Sequence, residues 1–584
     1  MKDLIASLMI GACGLLLAAC ANFQARIDTG LEQTVRDRLE RPETLPLEKL
    51  AHKPPETVDE GLARLQAQRE STSLAPQPES PSGAPPRPPE ASRQISIADV
   101  RGAALQHNLD LEIAKIEPAI AATYVSEEEA KFDDLIFARA KYSHRDTPAN
   151  IGDVVEFTTP DPASPLDGQV VKLTEIPQLT EILDMEAGVT IPLRTGARVT
   201  LNVPFDEKKM SKVPSDQYRS ALRFSVSQPL LRDAGVDANV ASIRIARYEQ
   251  RVTDVKTRLQ AIRVLAAIDK AYWALYQAWA ELDVRRQQYD NASNNLAMVK
   301  KRVTEGLTAA IEVNRAEVGV TERMEGLIVA ETNLKLRQRL LKLLMNDPRL
   351  KLDSPTVLSP TTQPTLVGFD FDREQLAAKA LAGRLELLEL ELKLAADLTK
   401  IDYLQNQTLP QFMLDYSYGA LGRNLDSFGG AFDNTVSGDY ADWSVGLRFE
   451  MPLTNELRKS RLQRAVNERL QRLTTQQLRE LTVRREIYDA LDQLQQNWQR
   501  IMAARQNVIV AGINYDAELK QFREGIRTMN EVLETLTRLG DAQIREVRAV
   551  TDYQISLIDL AFATGTLLGY SHVALQEWPA NAVR

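Results

Sequence analysis

The chain has 584 residues, 44 % of them apolar and 26 % charged, and a formal charge of −9. That composition supports a large folded body and shows no drift toward disorder. The negative balance gives no electrostatic case for nucleic acid, and aromatics at only 6 % suit helices better than a compact β-protein.

Leu4 to Ala19 is apolar, too short to span a bilayer as a permanent helix, and ends in Leu17-Ala18-Ala19-Cys20. A short apolar run after a start containing Lys2 reads as a secretory signal over residues 1–19. The Leu-Ala-Ala-Cys ending resembles the bacterial lipoprotein processing box, which implies lipidation of Cys20; Ala21 in place of Asp implies sorting to the outer membrane. An ordinary signal with an incidental cysteine is the other reading. If Cys20 is acylated, Cys13 leaves with the signal, and no thiol remains for a disulfide, a nucleophile or a Cys-ligated zinc. His52, His107, His144 and His572 are scattered without metal spacing, and no phosphate loop or nucleophile elbow occurs. No enzyme activity, metal or cofactor is expected.

Residues 20–94 form an extension that is polar with patchy helical character to residue 73 and Pro-rich over 74–93, an extended tether between anchor and body. A helix is expected from Ile97 to Ala130, capped by Ser96 and Asp99. A matching helix starts near Asp372, with Leu105 aligned on Leu381 and Leu111 on Leu387.

Period-two alternation follows each helix. In the first half it covers Met185–Leu193, Val199–Val203 and Tyr218–Val226, with a less regular strand at 134–145 and a turn at Thr195-Gly196. In the second half it covers Phe412–Tyr418 and Trp443–Phe449, with the Gly- and Asp-rich stretch 419–439 read as a loop. One apolar and one polar face fit a soluble sandwich and an outer-membrane barrel equally well.

Two proline-free runs, about Ala238 to Arg302 and Leu457 to Gln521, would each make a helix roughly 100 Å long at 1.5 Å per residue. Ile268, Tyr272, Leu275, Trp279 and Leu282 in one match Ile487, Leu491, Leu494, Trp498 and Ile501 in the other, every pair 219 residues apart. This reads as an internal duplication of a coiled-coil-like element. Both helices break at Glu-Gly turns, Glu305-Gly306-Leu307 and Glu524-Gly525-Ile526, and return helices run to about Met345 and Leu568. The halves are residues 95–345 and 371–570, joined by a proline-containing linker at 346–370 outside the repeat and followed by a tail at 571–584.

In this order and duplication the chain resembles the TolC family of outer-membrane efflux channels over 95–570. Gln228-Pro229-Leu230-Leu231-Arg232-Asp233-Ala234-Gly235 and Met451-Pro452-Leu453 are similar to the family's strand-to-helix junctions, Leu409-Pro410 to a helix-to-strand junction, and the two Glu-Gly turns to its periplasmic turns. The resemblance implies a mainly α protein with a membrane β-barrel: a homotrimer in outer-membrane lipid that shares one barrel, continued by a helical tunnel in the periplasm. The family's usual four strands per protomer and six strands are both compatible with the alternation. The resemblance also implies a passive duct for efflux or type I secretion, opened by a periplasmic adaptor (membrane fusion) protein and an inner-membrane pump. Gly306, Leu307, Gly525 and Ile526 would be the adaptor-docking tips, Glu312 and Arg527 an acid and its basic partner at the gate, and Glu531 and Glu534 acids at the pore constriction. The competing reading is a lipid-anchored periplasmic coiled-coil scaffold with no channel activity.

Overall fold

The computed structural model describes residues 29–40, 46–61, 63, 92–147, 154–156, 170–172, 178–210 and 216–573. The signal segment, Cys20 and most of the Pro-rich tether lie outside these residues. The chain divides into two compact units. Of the described residues, one comprises those within Thr123–Tyr248 and Ala395–Leu470; the other comprises those within Asp28–Ala122, Glu249–Leu394 and Gln471–Arg584.

Among its described residues the first unit holds six long strands: β1 (Leu135–Thr147), β2 (Gln178–Pro192), β3 (Arg198–Met210), β4 (Gln217–Pro229), β5 (Gln411–Asn424) and β6 (Tyr440–Glu450). They form one antiparallel sheet in chain order, with β4 of the first half paired to β5 of the second. The strand number left open by the alternation is six. Register aligns the apolar positions: Tyr142 faces Leu183, Val189 faces Leu201, Leu201 faces Phe224, Phe224 faces Tyr418, and Tyr418 faces Trp443. Because side chains alternate, these pairs make one apolar face, while Arg139, Glu186, Asn202, Arg223, Ser417 and Ser444 line the other. The apolar face is not covered by a second sheet: Trp443, Val445, Leu447 and Phe449 are each more than half exposed. Among the described residues β1 and β6 are the sheet's open edges.

The strand-to-helix junction is knitted by backbone bonds, Leu230 N–H to the Phe412 carbonyl (2.7 Å) and Arg232 N–H to the Pro410 carbonyl (3.2 Å). The strand ends that lead to the long helices lie at this end of the sheet; Thr147, Gln178, Met210, Gln217, Asn424 and Tyr440 lie at the other.

One expectation fails here. The stretch 419–439 is not a plain loop: β5 continues to Asn424, and Phe428–Ser437 is a helix, capped by the Ser427 hydroxyl on Gly430 N–H (3.2 Å). Paired glycines and an Asp disguise it. Packing overrides them, since Phe428 meets Tyr218 edge-on at 4.8 Å and Phe432 meets Phe205 at 6.2 Å.

The second unit is helical. Among its elements, α1 (Thr29–Glu40) and α2 (Ile97–His107) precede α3 (Leu109–Glu129), which continues into the first unit. The single helix expected from Ile97 to Ala130 is thus two. Ser96 and Asp99 form the expected capping box, but Asn108 turns the chain and its side chain accepts from Leu111 N–H (3.0 Å). The long helices are α4 (Ala241–Thr304), with return helix α5 (Ile311–Met345), and, after α6 (Arg373–Gly383), α7 (Leu385–Gln407) and the Phe428–Ser437 helix α8, α9 (Glu456–Arg523) with return helix α10 (Met529–Ala563).

The 346–370 linker also does more than join halves. Val357–Pro360 pairs in parallel with Ser92–Ile95, and Val367–Gly368 pairs antiparallel with Glu56–Thr57 of the N-terminal extension. Each short pair sits by one of the matched tryptophans: Trp279 Nε1–H donates to the Leu358 carbonyl (2.7 Å), and Trp498 Nε1–H to Glu56 Oε2 (3.3 Å). Deeper in, Arg101 holds Asp269 bidentately at 2.7 and 2.8 Å. Asp269 is fully enclosed, and burial, against the opposing pull of Arg101, raises its carboxyl above the ordinary value.

Candidate functional site: the two helix turns

The turns lie in the second unit, where Ala292 and Val299 of α4, Ala316 of α5, Tyr515 and Phe522 of α9, and Met529, Val532 and Leu536 of α10 form one core. Four helix ends meet there, and each leaves backbone groups that the helix cannot satisfy.

The C-terminal ends are solved identically. Gly306 and Gly525 have φ of 74° and 80°. Gly306 N–H bonds the Val303 carbonyl (3.0 Å) and Leu307 N–H the Arg302 carbonyl (2.8 Å); Gly525 N–H bonds Phe522 (3.0 Å) and Ile526 N–H bonds Gln521 (3.0 Å). This is the Schellman cap, in which glycine takes the left-handed position without steric cost. It puts an apolar residue at each tip, and Leu307 and Ile526 are 62 % and 69 % exposed.

The N-terminal ends differ. Helix α10 opens with a capping box: Glu531 Oε2 accepts from Thr528 N–H (2.8 Å) and from the Thr528 hydroxyl (3.3 Å). The bond from Thr528 N–H, against an opposing effect of burial and with Arg527 adding to it, holds the Glu531 carboxyl below its ordinary value. In the first turn Ala309 stands where Thr528 stands in the second, and α5 has no side-chain cap. The carboxylate equivalent to Glu531 is Glu312, and it points across. Buried, it accepts from Met529 N–H, the first amide of α10 (3.1 Å), and from Arg315 (2.6 Å).

Arg302 performs the matching task at the end of α9. Its Nη1 donates to the Arg523 carbonyl (2.6 Å), its guanidinium lies 5.5 Å from the Phe522 ring centroid, and its Nε donates to Thr308 (3.2 Å). An anion at a helix start and a cation at a helix end are both favoured by the helix dipole. The first-half residues Glu312 and Arg302 therefore brace the second turn at both of its helix ends. Arg323 adds a staple from α5 to α10: buried, it donates to the Leu533 carbonyl (3.0 Å) and the Thr537 hydroxyl (2.7 Å). Gly319 lets α5 approach, since a Cβ there would fall 2.8 Å from Leu533.

Glu312 and Arg527 are not brought together within the chain. Arg527 instead bonds Glu531 (2.9 Å) and Gln521 (3.1 Å) and lies 3.4 Å from Glu518. Glu531 is engaged at its cap, and Glu534, one turn on, pairs with Arg538 at 2.6 Å. Sequence reasoning missed Arg302 and Arg323, whose partners across the turns are backbone carbonyls and a threonine hydroxyl that no motif marks. Among the described residues no cluster of His, Cys, Asp and Glu could hold a metal, and no helix is long and apolar enough to cross a membrane.

The chain thus combines an open antiparallel sheet with one apolar face and long paired helices that end in capped turns. Residues 376–566 match the family model of the outer membrane efflux proteins. The outer membrane protein TolC of Vibrio cholerae is 22 % identical over 375 residues, covering 63 % of this chain and 82 % of that one. Among solved structures, the CmeC outer membrane channel of Campylobacter jejuni matches with a TM-score of 0.58 at 15 % identity, over 81 % of this chain and 86 % of that chain. VceC of Vibrio cholerae matches with a TM-score of 0.55 at 15 % identity, over 80 % and 96 %. The chain is similar in sequence to these outer membrane proteins and has the fold of the CmeC and VceC channels.

Proposed function

We propose that the protein is a passive exit duct in the outer membrane, the last component of a tripartite efflux or type I secretion system. The observation that carries this reading is the open six-stranded sheet, with an exposed apolar face on one side and a polar face on the other. Strand edges and apolar faces left in this state are stable only if other copies close the sheet and lipid covers it. An even number of strands leaves β1 and β6 antiparallel, so β1 of one copy can pair with β6 of the next without reversing either. In a homotrimer, as the family resemblance implies, this gives eighteen strands, six from each copy. Barrels of that size enclose an aqueous channel. The two halves are read as an internal duplication, supported by the identical caps 219 residues apart.

The four long helices would then continue the channel into the periplasm, with Cys20 anchoring the chain to the membrane by its lipid. The exposed apolar tips Gly306-Leu307 and Gly525-Ile526 offer an adaptor two small knobs on rigid caps. The gate is the bracing of the second turn, through Glu312 on Met529 and Arg527 on Glu531 and Gln521, with Glu531 and Glu534 as candidate pore acids. An inner-membrane pump supplies the energy, and adaptor engagement shifts the braced turns apart, a two-state change of packed helices. A lipid-anchored scaffold leaves the exposed band Trp443–Phe449 without a purpose.

Single-channel recording in planar bilayers tests the reading. Wild-type protein should form low-conductance channels, and Arg527→Ala or Glu312→Ala channels should conduct more. An Arg527→Ala channel no more conductive than wild type would sink the gate assignment, and a protein that forms no channel would sink the duct.

A further inference from the structure

Helix α8 connects β5 to β6 at the end of the sheet away from the long helices, and it folds back onto the sheet. The face it covers is the apolar one. Its aromatic contacts are Phe205 of β3 and Tyr218 of β4, and the Thr435 hydroxyl bonds that of Ser220. Gly422 of β5 is bare enough to admit it, since a Cβ there would fall 2.0 Å from the Ala431 carbonyl oxygen.

Its height on the strands is fixed by where the apolar band stops. On the same face, one position of the alternation beyond Phe205 comes Glu207, beyond Leu183 comes Glu181, and beyond Tyr142 comes His144. Glu207 pairs with Lys209 at 3.0 Å, and His144 lies 3.5 Å from Glu181. Apolar residues thus give way to polar and charged side chains at the level where α8 lies, with Tyr142 and Tyr218 at the border. Aromatic residues mark such borders between hydrocarbon and headgroups.

The side of α8 turned away from the sheet is partly apolar. Val436 is 71 % exposed, and Phe432, whose ring also touches Phe205, keeps 44 % of its surface exposed, while Ala431 and Thr435 are buried against the strands. The polar members of the helix are Asp433, Asn434 and Ser437, and Asn434 is tied to the Arg423 carbonyl at 2.8 Å. A short amphipathic helix lying flat at a hydrocarbon border matches the interfacial class.

We propose that α8 is seated in the headgroup interface of the outer leaflet, on the outside of the barrel, with Phe432 and Val436 inserted among lipid acyl chains. This rests on reading the sheet as a barrel wall whose apolar face meets lipid, and it extends the lipid-facing surface from strands to a loop helix. The occupant is lipid because the exposed side of α8 continues the apolar band that lipid must cover.

The experiment places nitroxide labels on single cysteines at Val436, Val445 and Ser444 of the full-length protein in phospholipid vesicles, with the signal of unsubstituted protein subtracted. All three positions are exposed, so labelling disturbs no packing. Collision with oxygen reports lipid, and collision with a water-soluble nickel chelate reports water. Val445 and Ser444 are neighbours on opposite faces of β6 and calibrate the wall: the label at Val445 should favour oxygen several-fold over that at Ser444. If the label at Val436 follows Val445, the seating is supported. A label at Val436 that follows Ser444, or is shielded from both reagents by protein, overturns it while leaving the barrel intact. Failure of Val445 and Ser444 to differ overturns the wall, and the seating with it.

Discussion

Glu312 and Glu531 occupy the same point of their respective turns, yet both carboxylates serve the start of α10. Glu531 caps it locally through Thr528, and Glu312 reaches Met529 from the other turn. The local cap is pH-dependent with a definite sign. Because the folded-state carboxyl of Glu531 lies below its ordinary 4.5, its contribution is present above that value and is lost as the pH falls through the depressed one. Amide hydrogen exchange in residues 529–532, corrected for intrinsic rates, should therefore accelerate on acidification. Thr528→Ala should weaken the same cap by about 1 kcal/mol at neutral pH. Protection that stays level from neutral to acid pH would remove the cap from the account. The Thr528-x-x-Glu531 spacing is a capping-box signature, but the reach of Glu312 is not visible in the sequence. Glu312 has a backbone amide as its partner, 217 residues away, and only a fold brings such a group within reach.

At the scale of elements, the turns were the most legible feature, because Glu-Gly followed by an apolar residue interrupts an otherwise unbroken helical period. Gly306 and Gly525 each have no heavy atom within 4 Å of where a Cβ would sit, so their requirement is conformational alone. Gly525→Ala should cost about 1–2 kcal/mol for the left-handed residue, and Gly525→Asn should cost less because Asn tolerates that region. Thermal unfolding of the detergent-solubilised protein checks the order glycine, asparagine, alanine; equal midpoints for alanine and glycine would contradict the cap. Strands were legible through alternation, though β3 runs on to Met210, past Pro204. Helix α8 was not legible. Gly429 and Gly430 lower its local propensity, and the aromatic contacts that hold it come from strands more than 200 residues earlier in the chain.

For the whole molecule, composition and length were poor guides to the membrane surface proposed here, since that surface is only one face of six strands. The band is nonetheless specific in its demands. Val445→Arg puts a charge in the middle of it and should destabilise the assembled barrel by about 2–4 kcal/mol, whereas Ser444→Arg, one residue away on the polar face, should be nearly neutral. Denaturant titration in lipid vesicles would measure both, and equal losses would argue against a lipid-facing band. The bracing of the second turn has a consequence for how the duplicated halves have aged. Two copies of the first half would carry Thr308 in place of Arg527 and Ala309 in place of Thr528, so α10 would lose its own cap. Two copies of the second would carry Gln521 in place of Arg302, so the cation on the Arg523 carbonyl would be missing. Neither half can now stand in for the other. If the halves arose by duplication, they have become an inseparable pair, and a loss in either half's turn is a loss to both.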